Sequence, residues 1–521
     1  MPYKGQSYTI PLSKGGFNGA RNFDGVPSED FVEPSRNINL HHKGRGRRGG
    51  TQHVNGTAVT SVNEILGGYQ FRLKNGTEFI VFLGDNGGLY KDYTTTIKTA
   101  MSTTAKPCFE TMENELYAVD SQTSPQTWDG VAAGTSNITS PPADWSGTNQ
   151  PSFVVKHGRG NSERLWFSGV NTFEEKLYYS SNGDGKVVTG GTSGTIAIET
   201  QDGFGITGLF EFGDRLFACG KRKVYQIEDT DATIANWGYD AAAWEGGAAH
   251  HWLIAKTPND VILMMEDGEI YSATAVQSYG DYKAASLTRP SFIHNWIEDN
   301  VQLSQIADFH MIYDPNLRAI KVFVMRNGQS IIDTALVYFI DRPPAEAWSI
   351  HDNTAADSGY RASSSFLVRK SAANYKVYTG GYTGFVWELE NSTLDDNGTG
   401  YAARFRSAPD PFGQDRMTKK YRRGWLVFAP KGDYTVDIKW WVDGVQQTTR
   451  TASTVGTGGV YGSAIYGTSV YGGQEINEKS FDLRAVGKRF QYEIENDNAG
   501  EDFLLSKLMI DAEFVGPRGA K

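Results

Sequence analysis

The feature that most restricts how this chain can fold is a pair of short β segments, each usually an apolar residue beside an aromatic or second apolar one, that recurs seven times. Ile80-Val81 is followed by Leu89-Tyr90 across GDNGG, Leu116-Tyr117 by Thr127-Trp128, Leu165-Trp166 by Leu177-Tyr178, and Leu216-Phe217 by Val224-Tyr225. Ile262-Leu263 then leads to Ile270-Tyr271, Val322-Phe323 to Val337-Tyr338, and Val377-Tyr378 to Val386-Trp387. A hairpin buries only one of its faces, so each needs neighbours to be stable. The first members fall at residues 80, 116, 165, 216, 262, 322 and 377, a spacing with room for the four short strands of a propeller blade. The expected fold is all-β: a β-propeller over residues 51–398, seven blades favoured and six possible, followed by a β-sandwich-like domain over 399–521. The alternative is an irregular β-sandwich with accidental spacing, and there is no WD40 or kelch signature to separate the two.

Composition points the same way. The 59 glycines among 521 residues exceed the usual ~7% and interrupt most windows before a helical stripe reaches three turns. The exception follows Pro290, where Phe292, Trp296 and Ile297 share a face, and one short helix is expected over 291–300. An aromatic content of 12% argues against disorder. The two cysteines, Cys108 and Cys219, cannot make a disulfide framework. A net charge of −10 disfavours a dedicated phosphate clamp. No stretch approaches the ~20 apolar residues of a membrane helix, and the N-terminus lacks an apolar signal core, so a soluble chain without integral membrane association is expected.

Beyond residue 398 the texture changes to long strand candidates over 424–430, 434–444, 488–496 and 503–516. In the second, Tyr434, Val436, Ile438 and Trp440 alternate with polar partners, as a half-buried antiparallel strand requires. Between them Tyr461, Tyr466 and Tyr471 recur every five residues among glycines, a contact surface or a flexible excursion. Residues 1–50 are polar and Gly-rich and read as an N-terminal arm, mobile or packed on a neighbour. Lys43, Arg45, Arg47 and Arg48, with the three tyrosines, are candidate oligomer or adaptor contacts. Arg416, Lys419, Lys420, Arg422 and Arg423 form a second candidate basic surface, although a charge run is more often only a solvated face.

Catalytic signatures are missing: there is no Gly-x-Ser-x-Gly elbow, His-Glu-x-x-His, Walker loop, Cys-x-x-Cys or EF-hand series. His41-His42 and His250-His251 are adjacent pairs whose side chains point apart in a strand, poor geometry for one metal. Asp229-Thr230-Asp231 and Asp395-Asp396-Asn397-Gly398 read as turns before they read as calcium ligands. No enzymatic activity, cofactor or metal is expected.

The segments GGFNGARNFDGVPSEDFVEPSRNINL, AKTPNDVILMMEDGEIYSA with the following RPSFIHNWIED, and KSFDLRAVGKRFQYEIENDNAGEDFLLSKLMI resemble short-tailed bacteriophage tail hub proteins, also called nozzle or packaged-DNA stabilisation proteins. The resemblance spans nearly the whole chain as texture and order, without an invariant signature. It implies a structural virion protein, assembled in the host bacterial cytoplasm, that forms a homo-hexameric ring below the portal and adaptor. That ring holds and then conducts the DNA genome without sequence-specific binding, and no enzymatic residues carry over. The residues alone leave two other readings open. One is a glycan-binding or glycan-cleaving propeller, whose Trp and Tyr side chains stack on sugars; the other is a monomeric propeller scaffold.

Overall fold

A computed structural model describes residues 5–158, 162–200, 203–231, 233–242, 246–279, 285–353, 358–413, 415–455 and 477–515. The fold is all-β. Six four-stranded antiparallel sheets and one three-stranded sheet succeed one another along the chain, and two six-stranded sheets complete the molecule. Each recurring sequence pair supplies the second and third strands of one small sheet, from Glu78–Gly84 with Leu89–Lys91 to Asn374–Gly380 with Val386–Asn391. The aromatic residue of each third strand is buried: Tyr90, Trp128, Tyr178, Tyr225, Tyr271, Tyr338 and Trp387. At about 25 cal/mol per Å² of apolar surface, these rings are a main source of cohesion in the small sheets.

The first strands of the small sheets are Ile65–Arg72, Cys108–Met112, Phe153–His157, Gly208–Phe212, Ile254–Lys256, His310–Asp314 and Ser364–Ser371. Each adjoins the next, and the last returns to the first. This closed succession is consistent with a β-propeller. Closure is made by the chain's beginning: Gly50–His53 pairs with Val386–Asn391 as the fourth strand of the last small sheet.

The expectation of an arm over residues 1–50 is overturned. Gly5–Pro11 runs antiparallel to Leu504–Val515, Phe31–Arg36 pairs with Ala403–Ser407, and the hairpin of Ile38–His41 and Gly44–Arg47 also joins Leu504–Val515. Both six-stranded sheets therefore contain both ends of the chain, and the small sheets are inserted between them. A polar, Gly-rich segment has little core of its own, but its backbone donors and acceptors complete ladders whose apolar faces come from elsewhere.

The four expected long strands form as Thr418–Ala429, which begins six residues before the expected start, Thr435–Val442, Phe490–Asn496 and Leu504–Val515, and a fifth, Asn477–Gly487, was not expected. Tyr421, Leu426 and Ile510 of one large sheet share a core with Ile438, Trp440 and Phe490 of the other. That core runs on through Phe17, Trp296 and Trp348 into the sixth small sheet, with Phe17 edge-on to Trp296 at 6.3 Å. The expected helix forms over Ile293–Asn300 and buries Ile293, Trp296 and Ile297. Phe292 differs from expectation: it caps the helix at φ 57° and stays 47% exposed. A second helix, Ala273–Tyr279, was not signalled by any stripe. Among the described residues no helix is long and apolar enough to cross a membrane.

Removing residues 1–49 deletes strands from both large sheets. The truncated chain is expected to lose its cooperative thermal unfolding transition, followed by circular dichroism. A soluble truncation that melts like the full chain would show that this segment is an appendage after all.

Candidate functional site

The GRGRR run forms an internal seam. In Gly44–Arg47 every residue is buried, and Arg48 is fully enclosed. The Arg48 guanidinium holds Asp396 in a two-pronged pair, Nη2 to Oδ2 at 2.7 Å and Nη1 to Oδ1 at 3.0 Å, with both side chains at 0% exposure. Its Nε donates to Asn37 Oδ1 at 2.8 Å, and its plane lies 3.6 Å from the Tyr401 ring centroid and 4.4 Å from that of Tyr360. Asp396 also accepts from Thr51, Ser358 and Asn353. Burial works against the Arg48 charge, but Asp396 more than offsets it, so the guanidinium is held above its ordinary range.

Arg47 and Arg45 point to the large sheets. Arg47 donates to Asn496 Oδ1 at 2.6 Å and to the Tyr401 carbonyl at 2.9 Å. Arg45 lies between the rings of Phe31 and Phe405, 4.8 Å from each centroid, and donates to the carbonyls of Lys14 and Glu29. The expectation that Arg45, Arg47 and Arg48 contact a partner is thus corrected: Arg45 and Arg47 are buried against the large sheets, and Arg48 joins those sheets to the propeller-like body. Only Lys43 of that set is exposed. The two glycines that follow Arg48 let backbones close in, since a Cβ on Gly50 would stand 2.1 Å from the Asp395 carbonyl oxygen and one on Gly49 2.5 Å from Glu390 Cα.

Beside this seam lies a second buried ion pair. Lys321 Nζ sits 2.7 Å from Glu390 Oε1 and 3.6 Å from Asp314 Oδ2, with Lys321 at 0% exposure. Glu390 also accepts from the Gly49 amide at 2.7 Å and the Tyr360 hydroxyl at 2.9 Å. Burial alone would raise its carboxyl, but the Lys321 charge and these donors hold it well below the usual carboxylate range.

On the axis of the ring of first strands is a cavity of about 310 Å³. Five of the seven first strands contribute to its wall, through residues that include Tyr69, Phe109, Ile254, His310 and Phe366, and Lys106, His251 and Trp252 complete it. Cys108 Sγ lies 3.5 Å from His251 Nε2, the spacing of a nucleophile and its base. The electrostatics oppose that role: burial pushes the thiol up to about 12 and the imidazole down to about 3, so both stay neutral and the imidazole is too weak a base to take the proton. Burial likewise lowers His250 to about 4.

Between the third and fourth small sheets, His157 bridges Glu211 at 3.2 Å through Nδ1 and Asp229 at 3.3 Å through Nε2. Burial opposes its charge, but the hydrogen bonds to Asp229 and Glu211 prevail and raise it to about 9. Asp229, read from sequence as a turn residue, has this partner besides.

The second basic run divides between surface and interior. Arg416, Lys420, Arg422 and Arg423 are exposed, whereas Lys419 is buried, so Lys419 is corrected from basic surface to interior, its ammonium donating to the Lys488 carbonyl at 3.0 Å. Strand alternation in Thr418–Ala429 turns it inward. Lys420, Arg422, Arg423 and Arg484 line a groove of about 680 Å³ with Trp425, Asp482 and Asp511. Carboxylates share that face: Arg422 pairs with Glu513, and Arg423 Nε stands 3.7 Å from Asp482. Tyr461, Tyr466 and Tyr471 lie outside the described residues.

No protein-family model matches the sequence, and no curated protein matches it. Among solved structures the chain is similar to YCF48 in complex with a peptide, at 11% identity and a TM-score of 0.40, over 64% of this chain and 94% of that one. It is similar to the WD40 domain of Neurospora crassa Pan2 at 10% identity and 0.36, over 64% and 98%. It is also similar to an exo-β-1,3-galactanase from Phanerochaete chrysosporium at 11% identity and 0.26, over 78% and 95%. At these scores none of them assigns an activity or a partner.

Removing one member of a buried pair leaves a charge uncompensated, at about 3–5 kcal/mol. Arg48→Met is expected to show a loss of that order in denaturant unfolding, while the double change Arg48→Met with Asp396→Leu recovers most of it; equal losses in both would mean the pair is not the source. His157 has a second signature. A raised value means its stabilisation is complete below the ordinary 6.5 and lost as pH rises to about 9. The melting temperature should fall across that window, and His157→Asn should flatten the fall; an unchanged profile would exclude His157 as a blade-to-blade staple.

Proposed function

We propose that this protein is a structural ring subunit, a seven-bladed propeller clamped by a two-sheet sandwich, that serves as the tail hub or nozzle of a short-tailed bacteriophage. The observation that supports a structural role is the seam itself. Both chain ends are woven into the large sheets, and the Arg48–Asp396 pair ties the closing strand of the last small sheet to them. A body closed in this way has few free strand edges and resists deformation, which suits a part that bears load. Two juxtapositions in the axial cavity have nucleophile-and-base spacing, Cys108 with His251 and Ser365 with His310 at 2.8 Å, and burial depresses the imidazole of each.

The phage assignment rests on the sequence resemblance. In this reading the axial cavity, about 310 Å³, has no room for a duplex, and the conduit for DNA lies at the centre of the ring of subunits. With Arg45, Arg47 and Arg48 buried, contacts to neighbours and to the adaptor fall to exposed surfaces such as Lys43 and the groove at Lys420, Arg422 and Arg423.

Light scattering of the purified chain, with negative-stain imaging alone and with a portal–adaptor complex, tests the reading. Closed rings of about six subunits with an open centre are expected. A chain that stays monomeric under both conditions would overturn the nozzle and leave the scaffold.

A further inference from the structure

The axial cavity contains one charged side chain, and no described carboxylate is in contact with it. Of the lining residues only Lys106 is ionised, because burial keeps His251 and His310 neutral. Its ammonium donates to the Ser363 carbonyl oxygen, and among the described residues it forms no ion pair within 4.0 Å. Glu64 and Asp308 act on it from beyond contact, and neither lines the cavity. A partly buried cation whose one direct contact is a neutral carbonyl, with its carboxylates beyond 4.0 Å, gains from an anion brought into contact with it. Burial already pulls the lysine down to about 8.

The rest of the wall is suited to a flat apolar body. Tyr69 and Phe109 stack at 5.9 Å between centroids, interplanar angle 25°, and Trp252, Met311, Phe366 and Leu367 line the same space. The volume lies at the lower end of the range for small-molecule sites, which are mostly apolar with a few convergent polar groups. We propose that the axial cavity binds a small planar aromatic carboxylate, its ring held among Tyr69, Phe109 and Trp252 and its carboxylate on Lys106 Nζ. A neutral ring leaves the lysine unpaired, a cation is repelled by it, and a polyanion is too large. This site is independent of ring assembly and would exist in a monomer.

Calorimetric titration of the full chain with indole-3-acetate, and separately with 3-methylindole, tests the proposal. Indole-3-acetate is expected to bind once per chain and at least about tenfold more tightly than the ring without the carboxylate. Lys106→Met should erase that advantage while leaving 3-methylindole unchanged, and Leu367→Trp, which narrows the cavity, should weaken both. Equal affinity for the two probes, no heat with either, or an advantage that survives Lys106→Met would each overturn the site. The comparison of probes on the unaltered chain stands even if a variant fails to fold.

Discussion

The architecture depends on one buried ion pair. Arg48 and Asp396 meet at 0% exposure, where removing either partner alone is far more costly than never having placed the pair there. The site is affordable in physical terms because every neighbour contributes: Asn37, Thr51, Asn353 and Ser358 hydrogen-bond the two groups, and two tyrosine faces cover the guanidinium. These partners come from the N-terminal strands, the last small sheets and the linker into the C-terminal strands. A contact satisfied only when all three are in place makes ring closure and assembly of the large sheets interdependent.

The second ion pair extends the same logic. Lys321 belongs to the sixth small sheet and Glu390 to the seventh, and the Glu390 carboxylate also accepts from the Gly49 amide. Neighbouring blades and the entry strand are thereby fastened at one point. His157 fastens the third and fourth sheets differently, across a site more open to solvent and therefore responsive to pH. Apolar wedges supply most of the cohesion between small sheets, while these polar fasteners fix which strand lies beside which.

That division bears on function. Arg48, Asp396, Lys321, Glu390 and His157 are paired, and burial depresses the imidazoles of His250 and His251. Two concave features stand apart from those fasteners, the exposed groove on the large sheet and the axial cavity, where Lys106 alone among the lining side chains is charged, with no carboxylate in contact.

Sequence by itself determined the small sheets. Each recurring pair is a local signal, two strands and a turn contiguous in the chain, and its buried aromatic follows from period-two alternation. Four long strands of the C-terminal region were legible from their apolar runs, whereas Ala403–Ser407 and Asn477–Gly487, with more polar sequences, were not. The candidate site was not legible either. The run at Lys43–Gly50 has the charge density of a solvated face, and whether Arg48 is exposed depends on Asp396, 348 residues away, which no local pattern reports. The one available signal was the alternation Gly44-Arg45-Gly46-Arg47, a strand period that charge density obscured. Tertiary structure alone decided that the chain ends share two sheets, that three arginines lie inside, and that Lys106 faces a cavity, because long-range pairing and burial set the free energy of a charge.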